Sequence, residues 1–298
     1  MHPRSSIRDL GMHETGGNEL RWEIGPEPAF RGLLLLCGVV LALGVLAEIV
    51  EVGLGYPSVY GLRPRFDLDG EGTLGAYVSA LMLLAAAALL AVITVAERRD
   101  GRPRWPYWAL LGLGFLWMSV DEAIALHELL NRPLREILGR PAFAAAWTVA
   151  GGLIAAVAAL VAMPLLRSLD PRRARLFLLA GGIYVGGAVG IEYLGGMLIE
   201  GGLRDSWIWS VELVVEEGAE MGGVALFLYA LLDHLRASGR ILRISLASPT
   251  AAGAAPPTDP TALRLRGGRP RRLSGIGARA ATRARRRRFA RDPTDQPA

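Results

Sequence analysis

The chain has 298 residues, 52% of them hydrophobic, with a formal net charge of +5 and a mean hydropathy of +0.33. That hydropathy is high for a soluble protein and points to several membrane spans instead of one large core. The single cysteine, Cys37, excludes an intrachain disulfide and a thiolate metal cluster.

Residues 1–29 carry both charge signs, and Gly16, Gly17, Pro26 and Pro28 interrupt any regular pattern, so they are read as a loose cytoplasmic lead. His2 and His13 in this lead are read as solvated. Apolar runs of about 20 residues, the length that crosses ~30 Å of hydrocarbon, then fall at residues 30–52, 73–96, 108–130, 142–166, 176–199 and 207–232. The first is too long for a signal-peptide core and lacks a small-residue cleavage site, so it is expected to stay attached. The fold class that follows is all-α: a polytopic membrane bundle of about six helices. Every basic residue is Arg, and the connecting segments alternate between Arg-rich and Arg-poor. By the positive-inside rule both termini are cytoplasmic, in the inner (plasma) membrane.

Between the first two runs, RFDLDGEGT resembles the front half of an EF-hand loop, with Asp67, Asp69 and Glu71 at alternate positions and Gly72 at the turn. The bidentate acid such a loop needs at its end is replaced by Val78, so a solvated acidic turn is expected. The second and fourth runs read as scaffold. In the fifth, Gly182, Gly186 and Gly190 at spacing four predict close approach of a neighbouring helix beside Glu192. After residue 232 the composition turns to Pro, Ala, Gly and Arg. Residues 233–298 hold 15 Arg against 4 Asp, including RARRRR at Arg283–Arg288. This tail is expected to be disordered and to lie against anionic lipid headgroups, with no specific nucleic-acid partner.

The third run places Asp121, Glu122, His127 and Glu128 within apolar surroundings, where an unpaired charge costs several kcal/mol. Glu192 in the fifth run, and Glu212, Glu216, Glu217 and Glu220 in the sixth, fall in the same outer half, as do Glu48 and Glu51. On an unbroken helix Asp121 and Glu128, seven apart, share a face, while Glu212, Glu216 and Glu220 form a carboxylate stripe. Several carboxylates converging at low dielectric require protons or a cation. One imidazole among carboxylates suits Mn, Fe, Mg or Ca, and Zn less well; a divalent ion (Mn, Fe or Zn) is the expected cofactor. Asp121, His127, Glu128, Glu217 and Glu220 are the candidate ligands, with Glu216 or Glu192 as general base. Trp117, Trp207 and Trp209 are read as packing or belt aromatics.

SVDEAIALHE at residues 119–128 together with VEEGAEMGG at residues 215–223 resembles a family of uncharacterised bacterial multipass membrane proteins that pair a DE...HE helix with a Glu-rich closing helix. The resemblance covers about residues 30–232, excludes the tail and implies no activity. The chain is also comparable with membrane hydrolases related to alkaline ceramidases, but it lacks their HxxxH in the last helix, so their three-histidine zinc site cannot be assembled. Three functions stay open at this point. One is a metalloenzyme acting on a lipid-like substrate. The others are a proton- or cation-coupled transporter and a non-catalytic membrane scaffold whose acids are neutral.

Overall fold

The computed structural model describes residues 12–15 and 19–246, apart from 57, 59, 71, 142, 205 and 241. Its helices follow the apolar runs. α1 (Pro26–Glu48) continues into a π turn (Ile49–Gly53), and α2 spans Leu74–Arg99. α3 (Trp105–Ile124) is followed by a 3-10 turn (Leu126–Leu130) and the short α4 (Asn131–Leu138). α5 is Trp147–Leu166; α6 (Pro171–Val185) and α7 (Glu192–Glu200) are joined by a second π turn (Gly186–Ile191). The last helix, α8, runs over Trp207–Ala237.

Capping side chains set where these helices begin. Thr73 Oγ1 accepts the Ala76 N–H at 3.4 Å, Ser206 Oγ accepts the Trp209 N–H at 3.3 Å, and Asp170 caps α6 just ahead of Pro171. α8 is the central element, packing against α1, α2, α6 and α7. Met221, Val224, Ala225, Leu228, Leu231 and Leu235 are buried along it. Around them Leu83, Leu90 and Ile93 of α2, Trp108 of α3 and Phe177 of α6 complete the core.

Ion pairs tie the helix ends at both poles of the bundle. At the pole holding the α1 C-terminus, Arg63 meets Glu48, Glu51 and Asp67, Ser210 Oγ donates to Glu48 Oε2 at 2.8 Å, and Arg204 pairs with Asp69 at 2.9 Å. At the opposite pole Arg236 meets Glu27, Arg172 and Arg173 meet Asp233, and Arg102 and Arg240 flank the buried Glu97. His234 is buried there against Trp108, ring centroids 4.9 Å apart, and neither ring nitrogen has a partner among the described residues. Beside the helices, β1 (Met12–Thr15), β2 (Glu19–Ile24) and β3 (Leu242–Leu246) form an antiparallel sheet in the order β1-β2-β3. The sheet pairs the lead with residues beyond α8, so neither the loose lead nor a tail disordered from residue 233 holds over these strands; ELRWEI and LRISL both alternate polar and apolar residues, the period of a strand. The remainder of the tail, with Arg283–Arg288, lies outside the described residues.

Among the described residues, four helices are long and apolar enough to cross a membrane: Pro26–Gly53, Leu74–Arg99, Trp147–Leu166 and Pro171–Glu200. They become five if the bent pair Trp105–Ile124 and Leu126–Leu138 is one span. α8 is not among them, because Glu212, Glu216, Glu217 and Glu220 crowd its first half.

Three sequence expectations are corrected. The third run is not one helix; it bends by 80° at Ala125, whose backbone is left-handed (φ 47°). The cause is local. Asp121 Oδ1 accepts the His127 backbone N–H at 2.8 Å, so the carboxylate competes with the helical carbonyl pattern and stops the helix. The face shared by Asp121 and Glu128 on an unbroken helix therefore does not exist. Second, among the described residues a Cβ on Gly182, Gly186 or Gly190 would meet nothing within 4 Å, whereas a Cβ on Gly187 would lie 3.0 Å from the Glu216 carbonyl oxygen and 3.1 Å from Glu220 Cγ. The π turn rotates this segment, so a different glycine meets α8. Third, the acidic turn is not simply solvated: Asp67 and Asp69 are held by Arg63 and Arg204. Glu71 lies outside the described residues.

Candidate metal centre

The broken helix creates the site. Asp121 sits one turn before the break and His127 just after it, and His127 Nδ1 lies 2.9 Å from Asp121 Oδ2. With its backbone N–H and Nδ1 both held by one carboxylate, the ring is fixed and Nε2 is the nitrogen left available. Nε2 lies 4.0 Å from Glu128 Oε1. Glu192, the first residue of α7 after the π turn, completes the group. Among the described residues, ligand atoms of His127, Glu128 and Glu192 lie within 4.8 Å of one another.

Each of the three also has a hydrogen-bond partner beside it. Asn131 Nδ2 donates to Glu128 Oε2 at 3.3 Å, and Trp147 Nε1 donates to Glu192 Oε1 at 2.5 Å. Asn131 Oδ1 in turn accepts the Trp147 backbone N–H at 2.8 Å, and the Trp147 ring lies 4.6 Å from the His127 ring. Asn131 is almost fully buried, at 4% exposure. Arg140 extends the same scaffold, donating to Tyr193 at 3.3 Å and pairing with Glu200.

The donor set fits a cation. One imidazole nitrogen and two carboxylates, each group hydrogen-bonded to a neighbouring side chain, is the arrangement in which outer partners fix ligand orientation and basicity. First-row ions bind such ligands at about 2.0–2.2 Å, so opposed donors can be no more than ~4.4 Å apart. His127 Nε2 and Glu128 Oε1, 4.0 Å apart, lie within that limit. Glu128 is half-exposed, with 51% of its side chain accessible, which leaves an open side.

Of the residues read from the sequence, the fold brings His127, Glu128 and Glu192 together. Asp121 serves as the His127 hydrogen-bond partner. Glu212, Glu216, Glu217 and Glu220 lie half-buried on α8, outside the ligand group. Their helix contacts the π turn and α7 through Gly187, which meets Glu216 and Glu220, and through Gly195, which meets the Glu212 carboxylate. Glu48 and Glu51 are engaged by Arg63, and Glu122 is half-buried beside Asp121. Trp209 is buried under Arg204, while Trp117 and Trp207 are more than half exposed. Asn131 and Trp147 were not visible as candidates: neither is ionisable, and they lie far apart on either side of a loop. At the loop near this pole, burial pushes the Asp69 carboxyl up to about 6 against the pull of Arg204, with Asp67, Glu128 and Glu48 adding to the rise.

A model of a domain of unknown function (DUF8692) matches residues 27–235. The chain belongs to this family. The matched region contains every helix from α1 to nearly the end of α8, and so every residue of the candidate centre, while the Arg-rich tail lies beyond it. No curated protein and no solved structure matches the chain.

Proposed function

We propose that this DUF8692 chain is a multipass membrane protein that holds a divalent cation, Mn, Fe or Zn, on His127, Glu128 and Glu192 and uses it on a lipid-like substrate. The observation that carries the reading is that all three groups converge and each is oriented by its own partner, Asp121, Asn131 or Trp147. A group of acids gathered only by chance would not be served in this way. The membrane part is supported by the apolar helices and by the large side chains they leave uncovered, such as Leu35 at 71%, Leu153 at 68% and Leu160 at 71% exposure. With α8 and the bent pair counted, the reading is of six spans, both termini on the cytoplasmic side.

A cation bound there would polarise a coordinated water and supply a nucleophile near neutral pH. The chain's own residues do the rest. Asp121 holds the His127 ring with Nε2 free, Asn131 and Trp147 hold the carboxylates, and Glu216 is the proposed proton acceptor, with Glu217 and Glu220 as further carboxylates on α8. The π turn at Gly186–Ile191 beside Glu192 and the break at Ala125 favour a second reading, a cation-coupled transporter, because irregular backbone beside an ion is how carriers bind.

Elemental analysis of detergent-purified wild type beside His127→Ala and Glu192→Gln tests the reading. Near-stoichiometric metal that falls in both variants is the expected outcome. Folded protein that is metal-free in all three would sink it, and metal that exchanges freely during purification would favour the carrier.

A further inference from the structure

α4 leaves α3 at an 80° bend, so it runs across the helix bundle instead of along it. Its inner side is fixed: Asn131 is buried, Leu134 packs with Phe143 and Tyr193, and Arg135 donates to the Ala144 carbonyl at 3.1 Å. The 3-10 turn and the outer side of α4 that follows it carry two adjacent rows of residues at spacing four. Leu129, Pro133 and Ile137 form one, exposed, with Leu129 at 71% and Ile137 at 78%. Glu128, Arg132 and Glu136 form the other, their side chains 51%, 92% and 74% exposed. Within α4 positions four apart stay within about 40°, so Pro133 and Ile137 keep to one side and Arg132 and Glu136 to the one beside it, with Leu129 and Glu128 exposed on the turn that leads into them.

We propose that α4 lies in the outer membrane–water interface, with Leu129, Pro133 and Ile137 among the acyl chains and Glu128, Arg132 and Glu136 at headgroup level. The metal centre then opens sideways to the leaflet, and the ligand it takes is a phospholipid whose phosphate is met by Arg132. This rests on the membrane and metal reading above. The occupant follows from the pattern: an apolar stripe bordered along its full length by charge fits a boundary between hydrocarbon and water, and not a uniformly apolar partner surface. Arg132 is the cation at that boundary, 3.9 Å from Glu136 and nearly fully exposed. Glu128 belongs both to the charged stripe and to the ligand group, so whatever binds at headgroup level reaches the centre.

The test uses the full chain in nanodiscs of phosphatidylcholine and phosphatidylglycerol, with Cys37→Ser and single spin labels at Leu129→Cys, Pro133→Cys, Ile137→Cys, Arg132→Cys and Glu136→Cys. Labels at 129, 133 and 137 are expected to be relaxed mainly by oxygen, and labels at 132 and 136 mainly by a water-soluble nickel chelate. Equal relaxation of both sets, or shielding of the first set from both agents by a second copy or another protein, overturns the proposal. Native mass spectrometry of Arg132→Gln gives the second readout. Retained phosphatidylglycerol is expected to fall several-fold, and unchanged retention, or equal displacement by inorganic phosphate alone, removes the phospholipid as ligand. Metal content measured on the same samples separates the two readings: normal metal without the alternation sinks only the interfacial one, and the alternation without metal sinks only the metal centre.

Discussion

Asn131 and Trp147 are joined by a single 2.8 Å hydrogen bond from the tryptophan backbone N–H to the asparagine side-chain oxygen, and between them they hold both carboxylates of the candidate centre. Glu128 comes from the turn after α3 and Glu192 from the start of α7, so this one bond couples two segments that are otherwise only neighbours.

Asn131→Leu removes that coupling while keeping the volume. Loss of an outer partner costs metal sites about 10–100-fold in affinity, and the orphaned Trp147 N–H adds roughly 1–3 kcal/mol of instability. Titration of the apo protein with Mn or Zn, together with a thermal unfolding scan, should show both changes. Full affinity in the variant would mean that Asn131 orients nothing.

Asp121→Asn separates a working centre from an inert one. The shape is preserved, but the negative charge that orients and polarises the His127 ring is gone, so metal affinity should fall ~10-fold or more. A scaffold whose acids are neutral and mutually bonded predicts almost no change in metal content or stability.

The helices were legible because their apolar runs are long, and Glu192, His127 and Glu128 because an ionisable group in such a run is costly. The break at Ala125 was not. No Gly or Pro marks it, and the signal is a competition for the His127 N–H that only the folded Asp121 side chain reveals. The error over the glycines has a similar origin, since a π turn over Gly186–Ile191 changes which residues face α8 and leaves the spacing in sequence unaltered.

Ala125 reports on that break. A non-glycine residue in the left-handed region carries about 1–2 kcal/mol of strain, so Ala125→Gly should raise the unfolding midpoint with metal content unchanged, whereas Ala125→Val should lower it. If the glycine variant were destabilised, Ala125 would have to be helical and α3 continuous through the third apolar run.

Gly223 and Gly186 form a matched pair. A Cβ on Gly223 would sit 2.7 Å from the Tyr184 backbone nitrogen, which no rotamer change relieves, whereas Gly186 has open space around it. Gly223→Ala should destabilise by roughly 1–3 kcal/mol, and Gly186→Ala should be neutral or stabilising by up to ~1 kcal/mol. Comparison of the two unfolding midpoints in detergent decides it, and the reverse order would place the α6–α8 contact elsewhere.

At the pole away from the centre, His234 sets a dependence on acid. Burial, with Arg173, Arg102 and Arg240 around it, holds its ring down to about 4 from an ordinary 6.5. Below pH 6.5 the unfolded chain takes up a proton that the folded chain refuses until about 4, so the stability is complete above 6.5 and is lost as pH falls. At 1.36 kcal/mol per unit the loss reaches about 3 kcal/mol by pH 4. Asp69 acts in the opposite sense: its folded carboxyl is raised to about 6, so its contribution is lost as pH rises from its ordinary 3.8 through 6. That side chain is 38% exposed, and solvent screening makes it the smaller of the two. Unfolding midpoints of wild type, His234→Phe and Asp69→Asn at pH 7.5, 6 and 5 resolve them. His234→Phe should flatten the acid loss and Asp69→Asn should steepen it; an unchanged slope in His234→Phe would mean that the imidazole is protonated inside the fold, with a partner that its present neighbours do not supply.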